Sequence, residues 1–436
     1  MKNLMMKTLM KRMILSALIL ASVALAASDS AKFMGPTGDG HYPQIDTLGK
    51  QLWTKTIGCG YSNVAVVGGR LYTAGHVQAK APQPEVGTKA QFQTRPRRRP
   101  SRASEVAGED VIYCLDAATG KEIWTYTYPA LAGKFKGPRA TPTIADGKLY
   151  FVSRAAETFC LDAKTGEKIW STPAKKVRAK SPTFGNSTSV LLHEGLCIVN
   201  LGRVVAFDAK TGKVKWMSRV EYTKAYNTPR TITVGGKTML VVTCYEGIVT
   251  MDPKSGKTLD LFPWKPPGIG TTITMPILVG KDQLFISASY KIGCGMLTVS
   301  PAGKMKLLWK NMDLLNHVAN SMLFAKEGYL VGFHGNTGAT NPLVAMDVKT
   351  GKVLWEKKDV GSGGVIKCGR NLLLIGYGGK VELLTPSRTG VTVLQSMQVF
   401  TSTPCWTAPA VAGSKAYFRD NPKGGTKSTL TCYAVK

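Results

Sequence analysis

The stretch that decides the fold is Ala206–Trp216, which reads AFDAKTGKVKW. It recurs at 114–124 (CLDAATGKEIW), 160–170 (CLDAKTGEKIW) and 345–355 (AMDVKTGKVLW). Its Trp returns after 46 residues from Trp124 to Trp170 and again to Trp216, and weaker copies begin near 251, 299 and 384. Self-similarity at a fixed period of this length is typical of repeat architectures.

The chemistry of one repeat predicts a four-stranded unit. The Asp carboxylate can accept backbone N–H groups across a turn, and the Gly can take the positive φ that closes a hairpin through a bulge. The Trp suits packing between neighbouring sheets. Before the motif lie two further strand-like runs, such as 141–152 (TPTIADGKLYFV), joined at Asp146-Gly147. Four strands in about 45 residues match one blade of a β-propeller.

Counting the repeats predicts eight blades. Seven turns are present, at 116, 162, 208, 252, 300, 347 and 385, and the last strand at 428–435 has no Trp strand after it. The segment 49–55 (GKQLWTK) supplies one from the other end of the chain. We therefore predict an all-β, eight-bladed propeller of four-stranded antiparallel blades, closed by pairing of the N- and C-terminal strands. Seven blades is the alternative, because the copy near 385 is degenerate.

Twelve residues are predicted to hold adjacent blades together. They are the Asp, Gly and Trp of the four clear copies: Asp116, Gly120, Trp124, Asp162, Gly166, Trp170, Asp208, Gly212, Trp216, Asp347, Gly351 and Trp355.

The first residues predict export. Four cations (Lys2, Lys7, Lys11, Arg12) precede an uncharged apolar run that ends in Ala24-Leu25-Ala26, the layout of a secretory signal peptide. We predict a signal peptide at 1–26, a lead-in at 27–46 and the propeller at 47–436, in the periplasm or outside the cell. A retained membrane anchor is the alternative, although the run is short for a span of roughly 20 residues.

The protein is strongly basic, because it contains 57 Lys and Arg but only 27 Asp and Glu. Its net charge is +30, or +26 without the signal peptide. Such a balance favours anionic partners, and a basic solvated surface is the alternative. A Pro- and Arg-rich insertion at 78–109 interrupts the first blade. Its predicted anionic-surface residues are Arg95, Arg97, Arg98, Arg99 and Arg102. An insertion without a fixed role is the alternative.

The repeat resembles that of the pyrroloquinoline-quinone (PQQ) type propellers, because Ala206–Trp216 and Ala345–Trp355 match Ala-x-Asp-x-x-x-Gly-Lys-x-x-Trp at every fixed position. The resemblance implies the fold and two functions. One is that of quinoprotein alcohol dehydrogenases, with PQQ and Ca²⁺ on the axis. The other is that of non-enzymatic BamB-like propellers of outer-membrane assembly.

The sequence favours the scaffold. Its nine Cys include no adjacent pair and no CxxC, and the five His show no metal-ligand spacing. It also lacks a nucleophile elbow, a phosphate loop and a dinucleotide fingerprint. The predicted openings of the inner strands carry amides, hydroxyls and arginines rather than carboxylates. The funnel-rim candidates are Arg139, Asn186, Asn227, Arg230 and Asn320, whose alternative role is to satisfy crowded backbone.

We thus predict a non-catalytic, monomeric scaffold that binds a protein or an anionic polymer in the cell envelope, without a catalytic, cofactor or metal site. It is not predicted to bind a specific nucleic acid or to be an integral membrane protein. A PQQ-dependent quinoprotein alcohol dehydrogenase with Ca²⁺ is the alternative.

Overall fold

The computed structural model describes residues 29–79, 107–223, 226–268 and 270–436. The predicted signal peptide and the Arg cluster of the insertion lie outside the described residues. Beyond one 3-10 turn at Ala174–Val177, the described part of the chain forms strands, turns and loops. Within these ranges no helix is long and apolar enough to cross a membrane.

The strands are short and follow one another in groups of four. The N-terminal pair is β1 (His41–Tyr42) and β2 (Leu48–Gly58). Blade 1 comprises β3 (Ala65–Val67), β4 (Arg70–Gln78), β5 (Ala107–Asp116) and β6 (Glu122–Leu131). Blade 2 comprises β7 (Thr143–Ala145), β8 (Lys148–Val152), β9 (Thr158–Asp162) and β10 (Lys168–Thr172). Blade 3 comprises β11 (Leu191–His193), β12 (Leu196–Asn200), β13 (Val204–Asp208) and β14 (Val214–Met217). Blade 4 comprises β15 (Arg230–Val234), β16 (Lys237–Thr243), β17 (Gly247–Met251) and β18 (Thr258–Pro263).

The second half continues the pattern. Blade 5 comprises β19 (Ile277–Val279), β20 (Gln283–Ala288), β21 (Gly293–Val299) and β22 (Met305–Asn311). Blade 6 comprises β23 (Met322–Phe324), β24 (Tyr329–Phe333), β25 (Leu343–Asp347) and β26 (Val353–Lys357). Blade 7 comprises β27 (Gly364–Cys368), β28 (Asn371–Ile375), β29 (Lys380–Pro386) and β30 (Val391–Gln398). The last strands are β31 (Ala410–Ala412), β32 (Lys415–Arg419) and β33 (Lys427–Val435).

The eighth blade is shared by the two ends of the chain. Strand β2 pairs antiparallel with β33, with Trp53 opposite Cys432 and Ile57 opposite Ser428, in a sheet of order β2-β33-β32-β31. The predicted eight-bladed propeller and its closing strand are confirmed. Blade 7 is complete despite its degenerate repeat, and β1 adds a fifth, parallel strand to it.

A bulge recurs in the outermost strand of every blade, one residue before the Trp position. In blade 2, Lys168 lies opposite Leu161 and Trp170 opposite Cys160, so Ile169 is the additional residue. The same register shift occurs in the other seven blades. A bulge twists an outer edge and interrupts its row of hydrogen-bonding groups, which discourages pairing with another chain.

In six of the eight blades the turn of a repeat packs against the Trp of the preceding blade. Asp162 Oδ1 accepts the backbone N–H groups of Lys164 and Thr165, both at 2.8 Å. Gly166 has φ of +79°, and a Cβ there would lie 2.7 Å from the ring of Trp124. The Trp124 indole N–H donates to the Ala163 carbonyl at 3.2 Å. Only a glycine accommodates both the positive φ and the indole.

The same Trp contact runs around most of the ring, and a Tyr often reinforces it. Equivalent indole donations come from Trp53, Trp170, Trp216, Trp309 and Trp355. In blade 2 the Tyr150 hydroxyl donates to the Ala209 carbonyl that also accepts from Trp170, each at 3.1 Å. This second donor was not predicted from the sequence.

Two blades use a different side chain at the Trp position. In blade 4, Asp260 accepts the Met305 backbone N–H at 2.8 Å. In blade 7, the Gln395 amide accepts the Leu48 N–H and donates to the Leu48 carbonyl at 3.1 Å. Every pair of neighbouring blades is therefore joined at this position by a hydrogen bond to backbone.

The insertion differs from its expected extent, and the lead-in contributes a strand. Strand β4 continues to Gln78 and β5 begins at Ala107, with Val77 opposite Glu109, so the insertion is narrower than 78–109. From Asp29 onward the lead-in packs against the ring and contributes β1. All nine Cys are described, and each is a buried free thiol.

Candidate functional site

A cavity of about 360 Å³ occupies the propeller axis at the end of the ring where the inner strands begin. We call this end the cavity face, and we call the opposite end, which carries turns such as 162–166, the turn face. The cavity is lined by the connections that lead into the inner strands, because each of them reaches the axis just before its strand. A mostly apolar concave site with a few polar groups is the usual form of a ligand pocket.

Residues 29–42 form a floor beneath this cavity. Ser30 pairs with Val66 of blade 1, and the Ala31 carbonyl accepts the Ile144 N–H of blade 2 at 2.8 Å. On the other side of the axis the Gly40 carbonyl accepts the Lys367 N–H of blade 7 at 2.8 Å. Between these anchors Phe33 and Met34 line the cavity. The segment therefore crosses the axis, and we refer to residues 29–42 as the strap.

An arc of aromatic side chains forms one wall. Tyr61 and Trp406 are stacked with ring centroids 5.7 Å apart. Phe135 lies 6.0 Å from Trp406 and 5.4 Å from Phe184, and Phe184 lies 6.1 Å from Tyr226. This arc was not predicted from the sequence, although all five of its members stand between an outer strand and the next inner strand. Tyr61, Tyr226 and Trp406 lie four residues before the inner strand, whereas Phe135 and Phe184 lie eight and seven residues before it, so no single period marks the arc.

Arg139 is the cation of the cavity wall. Its guanidinium lies 5.5 Å from the centre of the Tyr61 ring, within the range of a cation–π contact, and it donates to the Phe184 carbonyl and to the Phe135 carbonyl at 2.9 Å. Burial, together with the positive charge of Arg154, lowers the pKa of Arg139 to about 10, so the side chain remains charged at neutral pH. It forms no ion pair with a described carboxylate.

Two further polar groups of the lining are incompletely satisfied. The His317 Nε2 lies 3.0 Å from the Tyr290 hydroxyl, while its Nδ1 is buried without a hydrogen-bond partner. Burial lowers the pKa of His317 to about 4, so the imidazole is neutral at pH 7. The Trp406 indole N–H is also buried without a partner.

The structure brings three of the five predicted rim residues to the cavity: Arg139, Asn227 and Asn320. Asn227 donates to the Thr243 carbonyl at 3.1 Å, and Asn320 accepts the Met275 N–H at 2.9 Å. Both side-chain amides therefore form hydrogen bonds with backbone groups near the axis, which is the structural role named above as the alternative to ligand binding. Ligand binding by these residues stays a prediction.

The other two rim candidates lie elsewhere. Asn186 is buried beside the cavity and donates to the Arg154 carbonyl at 3.0 Å and to Ser181 at 2.9 Å. Arg230, on β15, donates to the Pro276 carbonyl at 3.2 Å and interacts with Asp39 of the strap. Neither residue lines the cavity.

A second cavity of about 590 Å³ adjoins the first on the cavity face and shares Tyr61, Phe135 and Trp406 with it. Its lining includes Lys134, Lys136 and Lys423. Among the described residues that line the two cavities there is no Asp or Glu.

This lining does not fit a quinone held by a metal ion. A calcium-type ion requires several carboxylate and amide oxygens, and no carboxylate of the described residues faces either cavity. The described ranges also contain no group of three His, Cys, Asp or Glu placed to hold a metal. One face of Trp406 is already covered by Tyr61. We derive no step through such a cofactor.

A family profile described as the outer membrane protein assembly factor BamB matches residues 107–357, more than half of the chain. The chain belongs to the BamB family. The match spans blades 2 to 6 and part of blade 1, where the repeat is clearest. A comparison of the sequence with curated proteins gives no match.

Solved structures of similar shape come from the BamB family and from quinoproteins. BamB from Moraxella catarrhalis has a TM-score of 0.58 at 14% identity, over 89% of this chain and 98% of that one. A quinohemoprotein alcohol dehydrogenase from Pseudomonas putida has a TM-score of 0.66 at 13% identity, over 95% and 82%. A europium-containing methanol dehydrogenase has a TM-score of 0.64 at 11% identity, over 94% and 99%. At these identities the likeness concerns the fold alone.

Proposed function

We propose that this protein is a non-catalytic, exported scaffold that binds a protein or an anionic polymer of the cell envelope through its cavity face. The observation that carries the proposal is the match of residues 107–357 to the BamB family, whose description is that of an assembly factor. Export rests on the signal-peptide pattern of residues 1–26.

The edge of blade 1 is the part of the cavity face that we propose as the docking surface. Strands β4, β5 and β6 have 9, 10 and 10 residues, whereas β8, β9 and β10 have 5 each. Three apolar side chains near this edge are solvent-exposed: Val77 at 45%, Leu131 at 53% and Phe135 at 38%. Exposed apolar side chains grouped at one edge are a feature of interaction surfaces.

Positive charge flanks this edge on the side of the second cavity, whereas the edge itself carries the exposed Glu109 opposite Val77. Lys134 and Lys136 follow Leu131 on the connection to blade 2, and Lys423 lies across the second cavity. In the sequence, the predicted anionic-surface arginines lie between Gln78 of β4 and Ala107 of β5, outside the described residues. A partner with an apolar contact patch and acidic surroundings would complement these residues.

Co-purification from the envelope of the source cells tests the docking surface. We expect Leu131→Asp and Val77→Asp to lose the partners that the wild-type protein retains. The matched control is Val353→Asp, a residue 37% exposed on the outer strand of blade 6, and it should retain them. Equal recovery with all four proteins would contradict the proposed surface.

The competing function is that of a quinoprotein alcohol dehydrogenase, because two quinohemoprotein alcohol dehydrogenases are among the solved structures that share the fold. Purified protein should be mixed with PQQ and Ca²⁺ and assayed by calorimetry and by dye-linked alcohol oxidation. We expect no turnover. Stoichiometric binding of PQQ accompanied by alcohol oxidation would overturn the scaffold proposal.

A further inference from the structure

We propose that the axial cavity binds a small carboxylate ligand with an aromatic or apolar body, independently of the partner docked on the cavity face. The size of the cavity, its charge and the unused N–H groups of Arg139 each point to such a ligand.

The cavity has the size of a small-molecule site. Its volume of about 360 Å³ lies in the range of roughly 300–1,000 Å³ that is usual for small ligands. The strap lies across its far end, where Phe33 and Met34 contribute to the lining. A ligand therefore enters from the cavity face and meets an apolar floor.

The cavity wall combines aromatic surface with a positive charge, and an anion with an apolar body would contact both. The arc from Tyr61 through Trp406, Phe135 and Phe184 presents aromatic surface to an apolar body. Arg139 stands within this arc and carries a full charge. Since no described acidic side chain lines the cavity, a cation would gain no counter-charge there, whereas an anion would.

Arg139 retains donors for such an anion. A guanidinium has five N–H groups, and its hydrogen bonds to the Phe135 and Phe184 carbonyls leave others unused. These two carbonyls and the Tyr61 ring hold the group in place before a ligand arrives. A fixed, planar guanidinium is suited to a bidentate contact with a carboxylate.

Calorimetric titration of the protein with 2-naphthylacetate tests the proposal. The control compound is 2-naphthylacetamide, which has the same ring but no charge. We expect one site for the acid and at least about tenfold weaker binding of the amide, because the amide loses the charge-assisted contact. Equal affinities of the two compounds, or no heat from the acid at millimolar concentration, would overturn the proposal. This comparison uses the wild-type protein and needs no variant to fold.

Variants then locate the site. Arg139→Gln should weaken 2-naphthylacetate binding about tenfold, because the charge-assisted contact is lost. Arg230→Gln, which removes a buried arginine that lies outside the cavity lining, should leave the affinity within about twofold. An affinity unaffected by Arg139→Gln would contradict the assignment.

The outcome is separable from that of the proposed function. Leu131→Asp and Val77→Asp should bind 2-naphthylacetate as the wild-type protein does, since neither residue lines the cavity. If these variants lose the protein partner but still bind 2-naphthylacetate, the carboxylate-site proposal is independent of the docking surface. If 2-naphthylacetate does not bind but the partner does, the proposed scaffold function is unaffected.

Discussion

At the residue scale, His317 illustrates how burial near the axis changes a side chain. The imidazole contacts the Tyr290 hydroxyl through Nε2, and its ring lies 5.1 Å from that of Tyr290 in an edge-on arrangement. No described carboxylate forms an ion pair with it. Its pKa of about 4 thus reflects the cost of burying the charged form.

This lowered pKa predicts a loss of stability in acid. The unfolded chain binds a proton at His317 near pH 6.5 and the folded chain only near pH 4, so the stability contributed by the neutral imidazole falls as the pH drops through this window. Between pH 7 and pH 5 the loss should be about 2 kcal/mol.

Urea unfolding of the wild-type protein and of His317→Asn at both pH values measures this effect. The variant should lack this part of the pH dependence. His334→Asn, which alters an imidazole bonded to the Asp313 carbonyl, serves as the control and should behave as the wild type does. An identical pH dependence in His317→Asn and the wild-type protein would show that His317 does not titrate in this window.

At the element scale, the outer strand of each blade has two structural roles. Its bulge disturbs an otherwise open edge, and the following residue bonds the next blade. In blade 2 the Ala209 carbonyl receives both the Trp170 indole N–H and the Tyr150 hydroxyl. Removing one donor leaves the carbonyl bonded, whereas removing both leaves a buried acceptor unsatisfied.

A double-mutant cycle tests this shared acceptor. We expect the loss of free energy of unfolding in the double variant Tyr150→Phe/Trp170→Phe to exceed the sum of the single losses by about 1 kcal/mol. The control cycle is Tyr329→Phe and Trp355→Phe, because Tyr329 donates to the Pro386 carbonyl and Trp355 to that of Ser387. Its effects should be additive. Additivity in both cycles would contradict the shared-acceptor interpretation.

At the scale of the whole molecule, the ring closes where blade 8 meets blade 1. Arg419 of β32 is 1% exposed and lies at this seam. Its guanidinium donates to the carbonyls of Ser62 at 2.8 Å, Ala74 at 2.7 Å and Gly58 at 2.9 Å. Burial lowers the pKa of Arg419 to about 10, which leaves it charged at neutral pH. One side chain of β32 thus holds the N-terminal region from Gly58 to Ala74, which lies 345 to 361 residues earlier in the sequence.

Replacing Arg419 should weaken this seam strongly. Arg419→Met leaves three buried carbonyls without this donor, so we expect it to reduce the free energy of unfolding by at least about 3 kcal/mol. Arg370→Met removes a solvent-exposed arginine of blade 7 that pairs with Asp46, and it should change stability by less than about 0.5 kcal/mol. The measurement is urea unfolding of both variants, and comparable small effects would contradict the role assigned to Arg419.

What the sequence determined by itself is the ring and its count. The Asp, Gly and Trp of each repeat act within one turn and on the adjacent blade, so their roles follow from local spacing, as in Asp162, Gly166 and Trp124. The closing strand was predictable for the same reason, since 49–55 retains the Gly-Lys-x-x-Trp spacing.

The features on the axis and the contacts of blades 4 and 7 depend on how the ring closes, and no local sequence pattern predicts them. The strap, the aromatic arc and the hydrogen bonds of Gln395 and Arg419 join residues that are distant in sequence and lie in segments without a period. Asp260 replaces a Trp through a contact that blade 5 supplies. The physical reason is that repeated local turns specify one blade after another, whereas a cavity depends on which side chains meet when the ring closes.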